Sequence, residues 1–126
     1  MTGDEIILQN AQEAGANGQQ LLQGIKKLLA SGMATALRSG NSVLILKRLG
    51  DGKAVLHLFT ADNGIGVARA VKDFIDKIRQ SDIKEVYGQA DNPEILRLLK
   101  MLGIEILESD IPEYNWKAEV WAQQVQ

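Results

Sequence analysis

The sequence predicts an α+β fold, a mixed α/β sandwich in which helices cover a mixed sheet. Two observations carry that reading. Between residues 33 and 60 the pattern strand, tight glycine turn, strand occurs twice over, which is an antiparallel meander. From 54 to 107 the pattern changes to strand, helix, strand, helix, strand, and a meander feeding such an alternation requires both strand directions in one sheet.

Taken in order, residues 9–20 hold Gln, Asn, Ala and Gly with no apolar face, so the segment 1–18 is expected to be poorly structured. Leu21, Leu22, Ile25, Leu28 and Leu29 then fall at helical spacing, with Ser31-Gly32 as the stop. Lys26 and Lys27 near its end suit the helix dipole. Three strands follow at 33–38, 43–49 and 54–60, separated by the turns Ser39-Gly40-Asn41 and Gly50-Asp51-Gly52. Val67, Ala70, Val71, Phe74, Ile75 and Ile78 mark one face of an amphipathic helix, with Arg69, Lys72, Asp73, Asp76 and Lys77 elsewhere on it. Residues 83–87 form a short strand. Asn92-Pro93-Glu94 starts another helix, with an Asn cap, Pro at the first position and an acid in the first turn. Ile95, Leu96, Leu98, Leu99 and Leu102 give that helix its apolar face, and Gly103 ends it. Residues 104–107 and 116–121 read as the last strands.

Composition removes several function classes. The chain has 126 residues, which is the length of one domain, and no linker or repeat divides it. It has no cysteine, which deletes disulfides, thiolate nucleophiles, iron–sulfur clusters and Cys-ligated zinc. One histidine, His57, deletes multi-His metal sites. A net charge of −2 argues against a nucleic-acid partner, which calls for a basic excess. No apolar run approaches the roughly 18–20 residues of a membrane span, so no membrane partner is expected. The opening Met-Thr-Gly-Asp-Glu places acids where an export signal needs positive charge, and a cytoplasmic location is expected.

The segment 60–68, Thr-Ala-Asp-Asn-Gly-Ile-Gly-Val-Ala, carries the most information. A strand runs into a Gly-x-Gly loop and then into a helix, whose first N–H groups and positive dipole end suit a phosphate. Gly64 and Gly66 also fit a loop that merely needs positive φ. The dinucleotide pattern G-x-G-x-x-G fails at Arg69, and no Walker Gly-Lys-Ser/Thr occurs. A Rossmann-like half with Asp91 as ribose ligand stays as a third reading, opposed by the meander that precedes the loop.

The meander, the Gly loop, the following helix and then Asn92, Leu99 and Gly103-Ile104 resemble the GCN5-related N-acetyltransferases (GNAT) over residues 33–107. The stretch Asn-x-x-Ile-Leu-Arg-Leu-Leu-Lys-x-Leu-Gly from Asn92 is also similar to GNAT-like proteins of tailed bacteriophages, among them an internal virion protein. The resemblance implies splayed central strands, helices on both faces, and acetyl-coenzyme A as cofactor. It implies a pantetheine arm paired with His57, Leu58, Phe59 and Thr60. Phosphates would rest on Asn63, Gly64, Ile65, Gly66, Val67 and Ala68, with Arg69 and Asn92 as further contacts. The sequence departs from the family in two places: the loop's usual Arg or Gln is Ala61, and the tyrosine that commonly protonates the departing thiolate is Leu99.

His57 and Tyr87 are the catalytic candidates. The imidazole changes charge close to neutral pH and suits a general base for an ammonium acceptor, although a strand residue facing solvent fits the same pattern. Tyr87 is the replacement acid nearest to hand, or an ordinary strand aromatic. Trp116 and Trp121 fall on opposite strand faces, one for the core and one for a partner, and the strand bearing them is expected to pair across a homodimer. The function expected is N-acetyl transfer to an amine. The alternative is a GNAT-like protein without catalysis, a structural or virion component, for which the Ala61 and Leu99 departures speak.

Overall fold

The chain's first helix starts where the sequence pattern predicts loose chain. In the computed structural model, which describes residues 1–89 and 93–120, α1 spans Gly3–Glu13. The Thr2 hydroxyl accepts the Glu5 N–H at 3.1 Å and the Glu5 carboxylate accepts the Thr2 N–H at 2.9 Å, a reciprocal capping box. Ile6, Ile7 and Ala11 are buried. The expectation of a poorly structured 1–18 is therefore corrected: three apolar residues make too short a stripe to read alone, and burial against the sheet makes the helix. A turn at residues 14–17 leads to α2, Gly18–Ala30, whose cap Asn17 accepts the Gln20 N–H at 3.1 Å.

The meander follows as β1 (Ala34–Ser39), β2 (Ser42–Gly50) and β3 (Lys53–Thr60), each antiparallel to the next. Leu44 lies opposite Leu58 and Ile45 opposite His57, so alternate residues of β2 and β3 face opposite sides of the sheet. Then come α3 (Ile65–Arg79), β4 (Glu85–Gly88), α4 (Pro93–Met101), β5 (Ile106–Glu108) and β6 (Trp116–Glu119). The sheet order is β1-β2-β3-β4-β6-β5, and β3–β4 is its parallel pair. Helices cover both faces. α3 and α4 pack Phe74, Ile78 and Leu99 on Leu44, Leu46 and Leu56, while α1 and α2 pack Ile6, Ile7 and Ile25 on Val43 and Ile45.

The parallel pair is the feature that positions everything else. β3 pairs with β4 only at Lys53–Glu85, Ala54–Val86 and Val55–Tyr87, after which the two strands part. Residues 56–60 keep β2 on one side and, among the described residues, have no strand on the other. At the far end of that open edge, the Asn10 carboxamide of α1 replaces the missing strand. It donates to the Thr60 carbonyl at 2.8 Å and accepts the Thr60 N–H at 2.9 Å. A side-chain amide offers the same donor and acceptor as a peptide group, so the backbone pairing requirement is met without a strand.

β6 lies between β4 and β5, so residues 116–118 have a strand on each side. Trp116 is buried on the α3–α4 face, and Trp121 lies outside the described residues.

Replacing Asn10 by Ala removes both bonds to Thr60 and leaves its peptide group half-shielded. Urea unfolding of Asn10→Ala is expected to show a loss of about 1–3 kcal/mol. A midpoint equal to wild type would show that water satisfies Thr60 equally well.

Candidate functional site

Where β3 and β4 part they leave a cleft of about 360 Å³. One wall is Leu56 to Phe59 of β3, the other Gly88 and Gln89 at the end of β4, with Ile95 and Trp116 on one side of the sheet and Asn10, Ala11 and Ala14 on the other. Gly88 has to be glycine here, because a β-carbon would overlap the Trp116 ring, which lies across it. The indole N–H in turn donates to the Gln89 carbonyl at 3.2 Å. Strand alternation points the Leu58 N–H and C=O the same way as those of Thr60, into the cleft. The cleft thus combines apolar side chains with polar groups and a strand edge available for amides.

Beyond the cleft, β3 runs on through Thr60 into the Gly loop and α3. Gly64 has φ 52° and ψ −121°, a conformation that a β-carbon would strain, and it caps α3 without a side-chain bond. The Gly66 N–H turns back to the Asn63 carbonyl at 3.0 Å, while Ile65 and Val67 belong to the first turn, whose N–H groups have no helical acceptor. The loop is held from beneath by Asp62. Its carboxylate accepts the Asn41 N–H at 3.0 Å and the Ser42 hydroxyl at 3.0 Å, while the Asp62 N–H donates to Thr60 Oγ1 at 2.9 Å. With its hydrogen on Asp62, Ser42 Oγ receives the Thr60 hydroxyl at 2.7 Å. A β-carbon on Gly66 would stand 3.1 Å from that of Asp62, a tight contact that favours glycine within its own loop. Val67 is buried, whereas Ile65 is 71% exposed at the loop's crest. Arg69 is exposed and makes no side-chain hydrogen bond or ion pair among the described residues. Asn92 and Asp91 lie outside the described residues.

The two catalytic candidates are placed differently. His57 is exposed, faces the α1–α2 side, and lines both the cleft and a second groove of about 520 Å³ beneath α2. Tyr87 shares that face but sits at the apex of the V, opposite Val55, and lines neither cavity. It is fully buried, and its hydroxyl contacts Asp110 at 2.9 Å and Glu85 at 3.3 Å. Burial first, and then the hydrogen bond to Asp110, push its acidity far above the ordinary phenol range in pKa. The Asp110 carboxyl is correspondingly held below the usual range by the Tyr87 hydroxyl. Lys117 bridges the two acids, 3.5 Å from each. Leu99 is in the core against α3. Asn10, Asp62 and the α2 groove are absent from the sequence reading. Asn10 sits in a polar stretch that shows no apolar face, and the Ser42–Asp62 contact spans 20 positions.

A solved structure shares this architecture: a chimera of the spermidine N-acetyltransferase SpeG from Vibrio cholerae and hSSAT. The match covers 81% of this chain and 74% of that one, with a TM-score of 0.52 and 12% identity. The fold is GNAT-like. That agrees with the expected mixed sheet, splayed strands and two-sided helices, and the Rossmann-like half is excluded by the antiparallel meander. No family model matches the chain, and no curated protein sequence matches it significantly. No helix among the described residues is long and apolar enough to cross a membrane.

The Tyr87 proton is held more tightly in the folded chain than in the unfolded one. Its contribution to stability is therefore complete below the unfolded value, about pH 10, and lost as pH rises above it. Melting temperature measured from pH 8 to 11 is expected to fall beyond that point, and Tyr87→Phe is expected to flatten the fall. An identical alkaline limb in both proteins would remove Tyr87 as its source.

Proposed function

We propose that the chain is a GNAT-type N-acyltransferase that binds acetyl-coenzyme A along the open edge of β3 and transfers its acetyl group to an amine. The parting of β3 from β4 carries this reading, because it opens a cleft of mixed polar and apolar lining along a free strand edge, and that strand runs on to a helix N-terminus. The donors suit the cofactor. The Leu58 peptide group, with Phe59 and His57 flanking it, offers an edge to the amides of a pantetheine arm. Of the N–H groups from Asn63 to Ala68, those of Gly66 and Ala68 donate to the Asn63 and Gly64 carbonyls, and the others suit a pyrophosphate, since helix N-termini favour anions. Arg69 is unspent and one turn into α3, where a phosphate oxygen is within its reach. Asn92, which precedes α4 in the sequence and lies outside the described residues, completes the proposed set. When bound, acetyl-coenzyme A supplies an activated acyl group as a thioester.

His57 acts on the acceptor. It stands where the cleft meets the α2 groove, so an amine entering from that groove passes the imidazole before it reaches the cleft. Taking a proton from the ammonium there frees the nitrogen lone pair for attack. Tyr87 has no part in this chemistry, because it lines neither cavity and its hydroxyl is engaged by Asp110. A second reading is a GNAT-like protein without catalysis, a structural or phage virion component. It is supported by the leucine at 99, buried in the core, and by the lack of any carboxyl or phenol lining the cleft among the described residues.

Thermal shift with coenzyme A, acetyl-coenzyme A and NAD tests the cofactor. Both coenzyme A forms are expected to raise the melting temperature, and NAD is not. Ile65→Glu places an acid beside the pyrophosphate without disturbing the core, since the side chain is 71% exposed, and is expected to abolish the shift. A shift that survives in Ile65→Glu, or none in wild type at millimolar ligand, would sink the loop assignment.

Release of free thiol from acetyl-coenzyme A in the presence of amines separates enzyme from inactive relative. His57→Ala is expected to lower kcat/KM by about 10²–10⁴-fold and to erase the acid limb of its pH profile. An unchanged rate would remove His57 as the base. No thiol release with any amine would leave the structural reading.

A further inference from the structure

The groove beneath α2 differs in character from the cleft. Leu21, Ile25 and Leu28 of α2 face Ile45 and Phe59 across it, so its walls are aliphatic and aromatic. Its volume of about 520 Å³ lies within the range of small-molecule sites. His57 and Phe59 line both spaces, which makes the groove the antechamber of the cleft.

Two further observations describe what the groove takes. The first is Lys47, the charged residue of the lining. It is half-buried on the same face as Ile45 and His57, and it makes no ion pair or side-chain hydrogen bond among the described residues. Ile45 lies directly opposite His57 and Lys47 opposite Val55, so Lys47 and His57 are diagonal neighbours, a separation that long side chains bridge. No carboxylate lines either the groove or the cleft among the described residues. A polycation would meet a lysine there and no acid, whereas a carboxylate would meet an ammonium in partly apolar surroundings, where such a pair is stronger than in water. The second is Gly24. It stands in the interior of α2, where glycine weakens a helix, and a β-carbon built there meets nothing within 4 Å. Gly24 lines the groove, so a side chain at that position would have room to enter it.

We propose that the acceptor is a small amine with an apolar body and an anionic group, an apolar α-amino acid being the simplest member. This rests on the acyltransferase reading of the cleft. The carboxylate meets Lys47, the apolar side chain lies among Leu21, Ile25 and Leu28, and the ammonium faces His57. The acceptor therefore differs from the polyamine in the name of the solved neighbour.

The test uses the whole chain with L-leucine, n-hexylamine and spermidine, measured by calorimetric titration and by thiol release from acetyl-coenzyme A. Leucine is expected to bind and to be turned over in preference to both others. Lys47→Gln is expected to raise KM for leucine about tenfold and to leave hexylamine unaffected. Gly24→Phe fills the groove from a position with free space, and is expected to abolish leucine binding while the coenzyme A thermal shift persists. Preference for spermidine overturns the proposal, as does leucine turnover indifferent to Lys47→Gln and Gly24→Phe. A self-association that Gly24→Phe disrupts, seen by sedimentation, also overturns it, since the groove then belongs to a second copy. The amine titration needs no coenzyme, so a wild type blind to coenzyme A but binding leucine fails the acyltransferase reading alone.

Discussion

Once β3 leaves β4 beyond Val55, the sheet has an interior strand edge with no neighbouring strand, and buried backbone groups do not tolerate that. The fold meets the demand at Thr60 with the Asn10 carboxamide, which bonds both the N–H and the C=O. This one contact ties α1 to β3 across 50 positions of sequence. It also caps the open stretch, because everything between Val55 and Thr60 then lies between a closed ladder and a closed amide pair. The Leu58 peptide group lies within that interval and points out of the edge. An extended ligand bearing amides is the natural occupant of such an edge, by the same hydrogen-bond logic that adds strands to sheets.

The Gly loop owes its shape to a separate anchor. Ser42, Thr60 and Asp62 form a continuous hydrogen-bonded chain that fastens the loop to the β1–β2 turn. The Asp62 carboxylate lies close to the N-terminus of α3, where it would compete with a bound anion were it free. It is already accepting from Asn41 and Ser42, which turns it toward the meander and leaves the outer side of the first turn open. The two glycines therefore have different causes. Gly64 is required by its backbone angles, and Gly66 is favoured by the Asp62 side chain close beneath it. Neither requirement invokes a ligand, so the glycine spacing is weaker support for an anion site than the parting of the strands is.

What was legible in the sequence follows from range. α2, α3 and α4 carry apolar stripes at helical spacing, and the meander carries turn residues at each reversal, so local pattern sufficed for them. α1 escaped because its stripe is Ile6, Ile7 and Ala11 and its start signal is Thr2 with Glu5, a capping box that lies before the polar stretch rather than within it. The cleft itself was reached only through family resemblance, since no residue of β3 or β4 announces that the two strands stop pairing at Val55 and Tyr87. Asn10, Asp62 and the groove under α2 depend on contacts between distant segments, and their residue types are ordinary for a turn or a helix surface. Tyr87 shows the opposite failure. A strand tyrosine near the cleft looked available, yet Asp110 and Glu85, one of them 23 positions away, hold its hydroxyl.

Removing Tyr87 and Leu99 from the proton inventory concentrates the proposed chemistry on one group. Among the described residues lining the two cavities, His57 and Lys47 are the side chains that titrate. An ammonium beside Lys47 is a poor match in charge, so the lysine is left for the carboxylate of the acceptor and the imidazole for its nitrogen. In the proposed reaction, the imidazolium formed from the acceptor's proton returns that proton to the departing thiolate within the same turnover. One imidazole in both roles needs no tyrosine on α4. On this reasoning the leucine at 99 is compatible with catalysis, because it fills the core between α3 and α4 while His57 serves the cleft from the opposite face of the sheet.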